Sequence, residues 1–354
     1  MFFRDKEQDI LFFTGCIKQK KEVVLKEFLL EKQENSILNG GGAELYVNQF
    51  NAYLIPKKPV PVPPVKSFTL SADAPKRKYI PGSEWLYLKI YTSKIGSKRL
   101  LLKIIPLIRR KYTGGPIKKW FFIRYEDHAP HIRLRMQVHP QAISEILIAF
   151  KSKLEDGVNQ HVIREYQVDV YSRELERYQA AGIELTEDFF WASSKFALKY
   201  LKISGKGAAP LNYEVALLTV MEMIRIFLPE TDVQLRFATD SYLLFFPEFD
   251  EKMLRVEMDK KYRELASGIK PLLGDAGFLQ ARGLGNVNRQ FVRSLYLLKR
   301  SLEADENTKE DFLRSVIHMH LNRLFTDDAR KQEMIVYYLL FKYLLSEKSR
   351  NIKA

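Results

Sequence analysis

Cysteine is almost absent from this sequence, and histidine is scarce. The chain of 354 residues contains one cysteine and six histidines. A single cysteine excludes a disulfide-stabilised scaffold. The histidines form no group with cysteines or carboxylates at a familiar ligand spacing, so we predict no metal site. The sequence also lacks a glycine-rich phosphate loop, and we predict no cofactor.

Long apolar runs are missing as well. No stretch of about 18 uncharged apolar residues occurs, which predicts that no helix crosses a membrane. The first residues, MFFRDKEQDILFF, place charges where a signal peptide needs its apolar centre. Neither HExxH nor GxSxG is present, so no metalloprotease or α/β-hydrolase is indicated. Together these absences favour a cytoplasmic protein.

The chain is instead rich in positive charge and in aromatic residues. Its 57 Lys and Arg outnumber its 43 Asp and Glu, giving a net charge of +14. This excess favours acidic partners such as nucleic acids, membrane surfaces, phosphates and carboxylates. However, the basic residues are scattered along the chain, which is typical of solvated surfaces. The aromatic content of 12% argues for a packed core and against disorder.

The distribution of proline divides the chain. Seven of the 15 prolines lie between Pro56 and Pro81, as expected of a stiff extended linker over residues 56–83. Before it, residues 1–55 form a small N-terminal piece, with a helical pattern over 23–32 and a strand-like alternation over 44–55. After it, residues 84–354 form the main domain.

Within the main domain, strand patterns come first and helical patterns follow. Strands are predicted at 85–91, 118–127, 131–139 and 162–171. Helices are predicted at 97–112, 142–154, 185–203, 213–228, 250–272, 288–304, 309–325 and 329–346. This order predicts an α+β fold, in which a mixed or antiparallel sheet in the first half packs with a mostly helical second half.

The strand at 131–139 carries two arginines that alternate. Arg133 and Arg135 point to the same face of a sheet, because successive side chains of a strand point to opposite faces. With Arg124 from the neighbouring strand they would form a carboxylate clamp, since guanidinium binds carboxylate oxygens in pairs. In the alternative interpretation both arginines face solvent, while Ile132 and Leu134 face the core.

Two helical segments carry further polar candidates. His318 and Asn322 are four residues apart and share a helix face, and a histidine suits proton transfer near neutral pH. The alternative is a buried structural histidine. The segment YSRELERYQAAG (171–182) carries Arg173, Glu174 and Arg177. On a helix, an ion pair from Glu174 to Arg177 is enough to explain these charges.

Taken together, four motifs resemble a known family. The motifs occur in the order WLYLKIY (85–91), KKWFFIRYEDHAPHIRLR (118–135), YSRELERY (171–178) and IHMHLNRL (317–324). From about residue 84 the chain resembles the C-terminal elimination domain of class I lanthipeptide dehydratases, also called the thiopeptide-type bacteriocin biosynthesis family. Residues 44–55 look like the last strand of the glutamylation domain that precedes it. The resemblance therefore implies a free-standing or split elimination domain with a short remnant of its neighbour.

The resemblance implies a lyase reaction. In the family, a Ser or Thr of a ribosomal precursor peptide is first esterified with glutamate from glutamyl-tRNA. The elimination domain then removes the Cα proton and expels glutamate, leaving dehydroalanine or dehydrobutyrine. The implied partners are thus the glutamylated precursor peptide and a separate tRNA-dependent glutamylating dehydratase protein. A homodimer is a further expectation from the family.

The resemblance also suggests roles for individual residues. Arg133 and Arg135 resemble the paired strand arginines of the family, Arg177 its ERY arginine, and His318 the first histidine of its HMHxNR-like motif. These four are the implied catalytic residues. The implied substrate-binding or supporting residues are Arg124, Arg173, His320, Asn322 and Arg323.

Two departures from the family pattern keep other functions open. RYQAAG (177–182) stands where members usually read RYGG, and WASS (191–194) has Ser193 in a position that is often acidic. One alternative is a pyridine-forming cyclase of thiopeptide pathways, which uses the same fold. The other is a non-catalytic domain that binds the peptide or a partner protein.

Overall fold

The computed structural model describes residues 7–18, 36–38, 45–47, 75–108, 115–204, 212–245, 248, 251–275, 277–302 and 306–351. The chain divides into two compact units, Met1–Leu70 and Ser71–Ala354. The first unit contains helix α1 (Glu7–Ile17) and the antiparallel strands β1 (Ser36–Leu38) and β2 (Leu45–Val47). The helix predicted at 23–32 and most of the strand predicted at 44–55 lie outside the described residues.

The second unit begins with strands and short connections and continues with helices. Its strands are β3 (Lys78–Tyr79), β4 (Trp85–Thr92), β5 (Ile117–Glu126), β6 (Pro130–Val138), β7 (Ile163–Asp169) and β8 (Tyr171–Ser172). Its first helices are α2 (Lys94–Leu107), α3 (Ile143–Asn159), α4 (Leu175–Tyr178) and α5 (Ile183–Ser204). The remaining helices are α6 (Asn212–Phe227), α7 (Thr231–Leu243), α8 (Glu251–Gly274), α9 (Phe278–Ala281), α10 (Gly285–Ser301), α11 (Glu306–Leu324) and α12 (Ala329–Asn351). This order confirms the predicted α+β class.

Four strands form an antiparallel sheet in the order β5-β6-β4-β7. Strands β4 (WLYLKIYT) and β5 (IKKWFFIRYE) are rich in aromatic residues, which suits a pleated and buried surface. Ile132 and Leu134 of β6 are fully buried on one face. Helix α2 packs against β6 and helix α3 packs against β7. The sheet and these two helices therefore form one part of the core. The strands β3 and β8 form a separate antiparallel pair.

The two edges of this sheet differ. On β5, the Phe122 amide donates to Ser194 Oγ of α5 at 3.2 Å, and the Arg124 amide donates to Asn322 Oδ1 of α11 at 2.8 Å. Asn322 Nδ2 also donates to the Arg124 carbonyl at 2.8 Å. Helix side chains thus satisfy backbone groups that an edge strand would otherwise leave open. On β7, no described residue hydrogen-bonds the backbone on the side away from β4.

Helix α5 connects the sheet to the helical half. It packs against β5, α10 and α11, and its buried side includes Phe189, Phe196 and Leu201. Helix α11 in turn packs against α5, α6, α12 and β5. The residues predicted on α11 are therefore held between the helical core and the edge of the sheet.

Several elements were not predicted from the sequence, among them α1, β1, β3, α7 and α9. Helix α7 was missed because its buried side includes Gln234 and Ser241, which break the apolar period. Gln234 is accommodated by a hydrogen bond to the Leu228 carbonyl at 2.7 Å. Strand β3 falls inside the predicted linker, where a two-residue strand leaves no periodic signal. The α4 helix is also shorter than the motif at 171–182 suggested.

Candidate functional site

Arg133 and Arg135 project from the same face of the sheet, as the alternation predicts. In the register of β4 and β6, Lys89 lies opposite Arg133 and Tyr87 lies opposite Arg135. Lys89 is paired with Asp169 of β7 at 2.5 Å. The alternative, in which both arginines simply face solvent, fails for Arg135, because only 8% of this residue is exposed.

Arg135 lies among aromatic rings. Its guanidinium carbon is 4.6 Å from the ring centre of Tyr87, 4.9 Å from that of Tyr171 and 5.7 Å from that of Phe121. No described residue forms a hydrogen bond or ion pair with it, and its Nε is buried without a partner. Rings of this kind hold a guanidinium in place without neutralising it. Arg135 is thus a cation that aromatic rings hold in place and that no described acidic group neutralises.

Arg133 is held by a histidine that the sequence had not singled out for the site. Its Nε donates to His131 Nε2 at 3.1 Å, and its guanidinium carbon lies 3.4 Å from the ring centre of Tyr125. Because arginine can only donate, His131 must carry its proton on Nδ1, which lies 3.0 Å from the Ala129 carbonyl. Burial lowers the pKa of His131, so it is neutral near pH 7.

A cavity of about 520 Å³ opens at the end of the sheet where β5 turns into β6. His131 and Arg124 line it from the sheet, and His318 and Asn322 line it from α11. The i, i+4 spacing therefore places His318 and Asn322 on a common face, as predicted. A second cavity of about 560 Å³ adjoins the first, since Thr92 and Pro130 line both.

His318 has a buried acidic partner on the next helix. Its Nδ1 lies 2.7 Å from Oε2 of Glu333, near the start of α12. The side chain of His318 is 37% exposed, whereas that of Glu333 is 4% exposed. His318 is thus the histidine of α11 that combines access to the cavity with a charged partner.

Arg124 and Asn322 are largely occupied by the protein itself. Arg124 Nη1 donates to the carbonyls of Asn322 at 3.1 Å and Arg323 at 2.7 Å, and Nε donates to Ser97 Oγ at 3.2 Å. Burial lowers the pKa of Arg124 to about 10, so it stays protonated near pH 7. The cation thereby stabilises the C-terminal end of α11, where carbonyl groups lack partners. These contacts favour a supporting role for both residues.

The other side of α11 faces the core. His320 is fully buried, with Nδ1 2.9 Å from Ser193 Oγ and Nε2 3.1 Å from Thr219 Oγ1. The Thr219 hydroxyl already donates to the Val215 carbonyl, so it accepts from Nε2 and Ser193 donates to Nδ1. Burial lowers the pKa of His320 to about 3, and it stays neutral. Ser193 thus completes an uncharged network.

Arg323 is also buried on that side of α11. Its Nε donates to Ser194 Oγ at 3.1 Å, its Nη1 donates to the Met319 carbonyl, and it lies over the Phe190 ring. Burial lowers the pKa of Arg323 to about 9, which still leaves it charged near pH 7. His320 and Arg323 therefore lie in the core, and their implied substrate-binding or supporting roles stay predictions.

The arginines near α4 occupy two further environments. Arg173 is buried and binds Glu187 through two contacts, Nε to Oε1 at 2.7 Å and Nη2 to Oε2 at 2.8 Å. Tyr171 donates to the same carboxylate at 2.9 Å. Arg177 is half exposed and pairs with Glu174 at 3.2 Å, which is the local ion pair that the sequence suggested.

The predicted residues therefore fall into separate groups. His318, Asn322 and Arg124 line the cavity, whereas Arg133 lies behind His131, to which it is hydrogen-bonded. Arg135 lies further along the same sheet face, among its aromatic neighbours. No hydrogen bond or ion pair among the described residues links Arg177 to this group. The structure leaves the catalytic roles of all these residues as predictions.

Among the contacts of the candidates that sequence reasoning missed are His131 and Glu333. His131 shares the alternation of Arg133 and Arg135, so the strand pattern itself could have included it. Glu333 is 15 residues from His318, on another helix, and no local pattern connects them. In the described part of the chain, no three His, Cys, Asp or Glu side chains converge into a metal-binding group. Nor does any described helix have the length and apolar character to cross a membrane.

The fold and motifs agree with one family. Residues 85–344 match the family model described as "Lantibiotic biosynthesis dehydratase C-term". The chain therefore belongs to the lantibiotic dehydratase C-terminal family, which confirms the resemblance inferred from the four motifs.

Individual relatives give the extent of the match. The chain is 26% identical over 280 residues to the nisin biosynthesis protein NisB of Lactococcus lactis subsp. lactis, covering 77% of this chain and 26% of NisB. It thus spans about a quarter of the length of the curated relatives that it matches.

Several solved structures share the fold. The tRNA-dependent lantibiotic dehydratase MibB from Microbispora sp. 107891 has a TM-score of 0.61 at 19% identity, over 76% of this chain and 29% of MibB. The pyridine synthase TbtD, from thiomuracin biosynthesis, has a TM-score of 0.54 at 14% identity, over 73% of this chain and 97% of TbtD.

Proposed function

We propose that this protein takes part in lanthipeptide dehydration, as the lyase that eliminates glutamate from glutamylated Ser or Thr of a ribosomal precursor peptide. One observation carries the proposal beyond the family match. His131 lines the cavity that His318 borders and also accepts a hydrogen bond from Arg133. A group able to move a proton therefore borders the cavity, and a group able to hold a carboxylate is hydrogen-bonded to a residue of its wall.

The chemistry requires both groups. A base takes the Cα proton, the C–H electrons form the Cα–Cβ double bond, and the Cβ–O bond breaks to release glutamate as a carboxylate. Negative charge builds on the amide oxygen next to Cα before it passes to the leaving group. Fixed cations lower the barrier where such charge develops, and a histidine near neutral pH is suited to the proton transfer.

We assign the proton transfer to His318 and the recognition of carboxylate or oxyanion to Arg133 and Arg135. Arg135 suits this role because its charge is held by rings and has no acidic partner among the described residues. Arg177 is the family's further candidate, and it would have to leave Glu174 to reach the substrate. Arg124 and Asn322 would act by holding α11 against the sheet.

The substrate implies partners. The glutamyl ester has to be supplied by a tRNA-dependent glutamylating protein, which we propose to be a separate chain. Co-purification of the two proteins, with and without precursor peptide, tests this association. Sedimentation velocity of the protein alone tests the homodimer that the resemblance implies.

The reaction itself is tested with a synthetic peptide that carries one glutamylated serine. Incubation with the protein should release free glutamate and leave dehydroalanine, as read by mass spectrometry. Hydrolysis of the ester would instead regenerate serine, and it contradicts the proposal, as does an unchanged mass. A matched incubation with His318→Asn should leave the glutamyl ester in place.

One observation favours a second candidate. The fold match extends over 97% of the pyridine synthase TbtD. A cyclase would consume a peptide that already contains two dehydroalanines and would form a pyridine ring. Incubation with such a peptide separates the two functions, because an eliminating lyase should leave it unchanged.

A further inference from the structure

Glu333 is a buried carboxylate whose one hydrogen-bond partner in the described part of the chain is His318. Only 3% of the residue is exposed, and its Oε2 lies 2.7 Å from His318 Nδ1. Among the described residues, no other hydrogen bond reaches this carboxylate. The nearby Arg330 side chain is hydrogen-bonded to Glu248, and its charge acts on Glu333 without a hydrogen bond between them. The buried charge of Glu333 is therefore directed at His318.

Burying a carboxylate has an energetic cost. The desolvation of a charge usually exceeds what one ion pair returns, and an apolar residue of similar size would often be more stabilising. Other buried carboxylates of this protein have several partners. Glu187 binds Arg173 twice and accepts from Tyr171, and Glu310 pairs with both Arg236 and Arg314. The single histidine partner distinguishes Glu333 from these structural carboxylates.

The contact also determines the protonation pattern of the imidazole ring. A carboxylate only accepts hydrogen bonds, so the proton shared with Glu333 belongs to His318 Nδ1. The lone pair of the neutral ring is then on Nε2. No described residue hydrogen-bonds Nε2, and His318 borders the cavity of about 520 Å³.

We propose that Glu333 is the positioning residue of the elimination site, holding His318 with Nδ1 protonated and with Nε2 free to act on the substrate. This proposal rests on the proposed function. In the reaction, Nε2 takes the Cα proton and the ring becomes an imidazolium. The adjacent carboxylate stabilises that cation, as a buried acid does for the histidine of a catalytic triad. Glu333 itself neither touches the substrate nor takes up the proton.

The first test measures the tautomer directly. Long-range ¹H–¹⁵N spectra of protein labelled at histidine nitrogens distinguish Nδ1–H from Nε2–H, and His318→Asn assigns the resonance. We expect Nδ1–H in the wild type. In Glu333→Gln, the amide is able to donate to Nδ1, and we expect a shift toward Nε2–H. A wild type with Nε2–H, or a variant with unchanged His318 shifts, overturns the proposal.

The second test measures turnover of the glutamylated peptide. Glu333→Gln should lower kcat on the order of 10²-fold or more, with KM changed less than threefold, because the wrong tautomer affects the proton transfer. Glu333→Asp, which keeps the acid, should recover part of the rate. An unchanged kcat in Glu333→Gln contradicts the proposal.

A matched control separates positioning from stability. Glu310→Gln removes another buried carboxylate, on the same helix as His318 but paired with arginines. It should lower stability and leave both the His318 tautomer and kcat unchanged. If the wild type eliminates no glutamate, the proposed function fails, whereas the tautomer is still decided by the nitrogen spectra alone.

Discussion

Helix α11 has two sides, and its two histidines differ accordingly. His318 borders a cavity, is partly exposed and contacts a buried acid, whereas His320 is fully buried between two hydroxyl groups. The residues are two positions apart and chemically identical. Their different surroundings show that a histidine motif alone does not define a site. The partner and the access to a cavity decide which imidazole is suited to chemistry.

The largest effect is expected on the cavity side. His318→Asn should lower kcat for glutamate elimination by about 10³-fold, since general acid–base groups contribute roughly that much. The asparagine amide is able to donate to Glu333, so the free energy of unfolding should change by less than about 1 kcal/mol. Mass spectrometry and urea unfolding check the two expectations. If the His318→Asn variant keeps its activity, the proposed role of His318 in proton transfer is wrong.

On the core side, His320→Ala should mainly destabilise the fold. It leaves a cavity and removes the partners of Ser193 and Thr219, at a cost of about 2–4 kcal/mol. Urea unfolding measures this loss. Activity per folded molecule should remain near that of the wild type, and a selective loss of activity would show that both sides of α11 serve the reaction.

The pH dependence of stability should sharpen the same contrast. Burial holds the pKa of His320 at about 3 in the folded protein, below its ordinary value of about 6.5. Below pH 6.5 the unfolded chain binds a proton that the folded protein excludes. The contribution of His320 is therefore complete above about pH 6.5 and decreases toward pH 3, by roughly 1.4 kcal/mol per pH unit. The difference between wild-type and His320→Asn unfolding curves should show this slope, and parallel curves would contradict it.

Asn322 should give a smaller change in stability. Asn322→Ala leaves the Arg124 amide and carbonyl without their partners, at a cost of about 1–2 kcal/mol in thermal or urea unfolding. Any loss of activity should follow the loss of folded protein. If kcat falls although the variant is fully folded, Asn322 takes part in the reaction instead of only supporting α11.

The smallest stability effect is expected at Arg177, away from both sides of α11. Its exposed pair with Glu174 should contribute less than about 0.5 kcal/mol, so Arg177→Ala should unfold like the wild type. If Arg177 leaves Glu174 to hold the substrate, kcat/KM should still fall about 10-fold, a modest loss of binding. Unchanged kinetics would exclude it from the site.

Much of the fold follows from local patterns. Alternation identified β4 to β7, and helical periodicity identified most helices after residue 184. These signals are strong where apolar residues are regularly spaced or continuous, as in β4, which is buried on both faces. The exceptions have tertiary causes. Helix α7 buries Gln234, and β3 is too short for any period.

The candidate site was predictable only where its geometry is local. The spacing of Arg133 and Arg135 gave their shared face, and the spacing of His318 and Asn322 gave theirs. The aromatic rings around Arg135 come from three strands, and the contact between Glu333 and His318 joins two helices. Such contacts depend on packing between distant segments, which a single sequence does not display.

The closed edge of β5 has a consequence for assembly. Asn322 offers the strand one acceptor and one donor, much as a peptide group of a further strand would. Growth of the sheet from this edge would require α11 to move away. In the four-stranded sheet, strand exchange between molecules is therefore restricted to the outer side of β7. The Phe122 and Arg124 amides should exchange with deuterium only when the helices separate from the sheet, which makes them reporters of that opening.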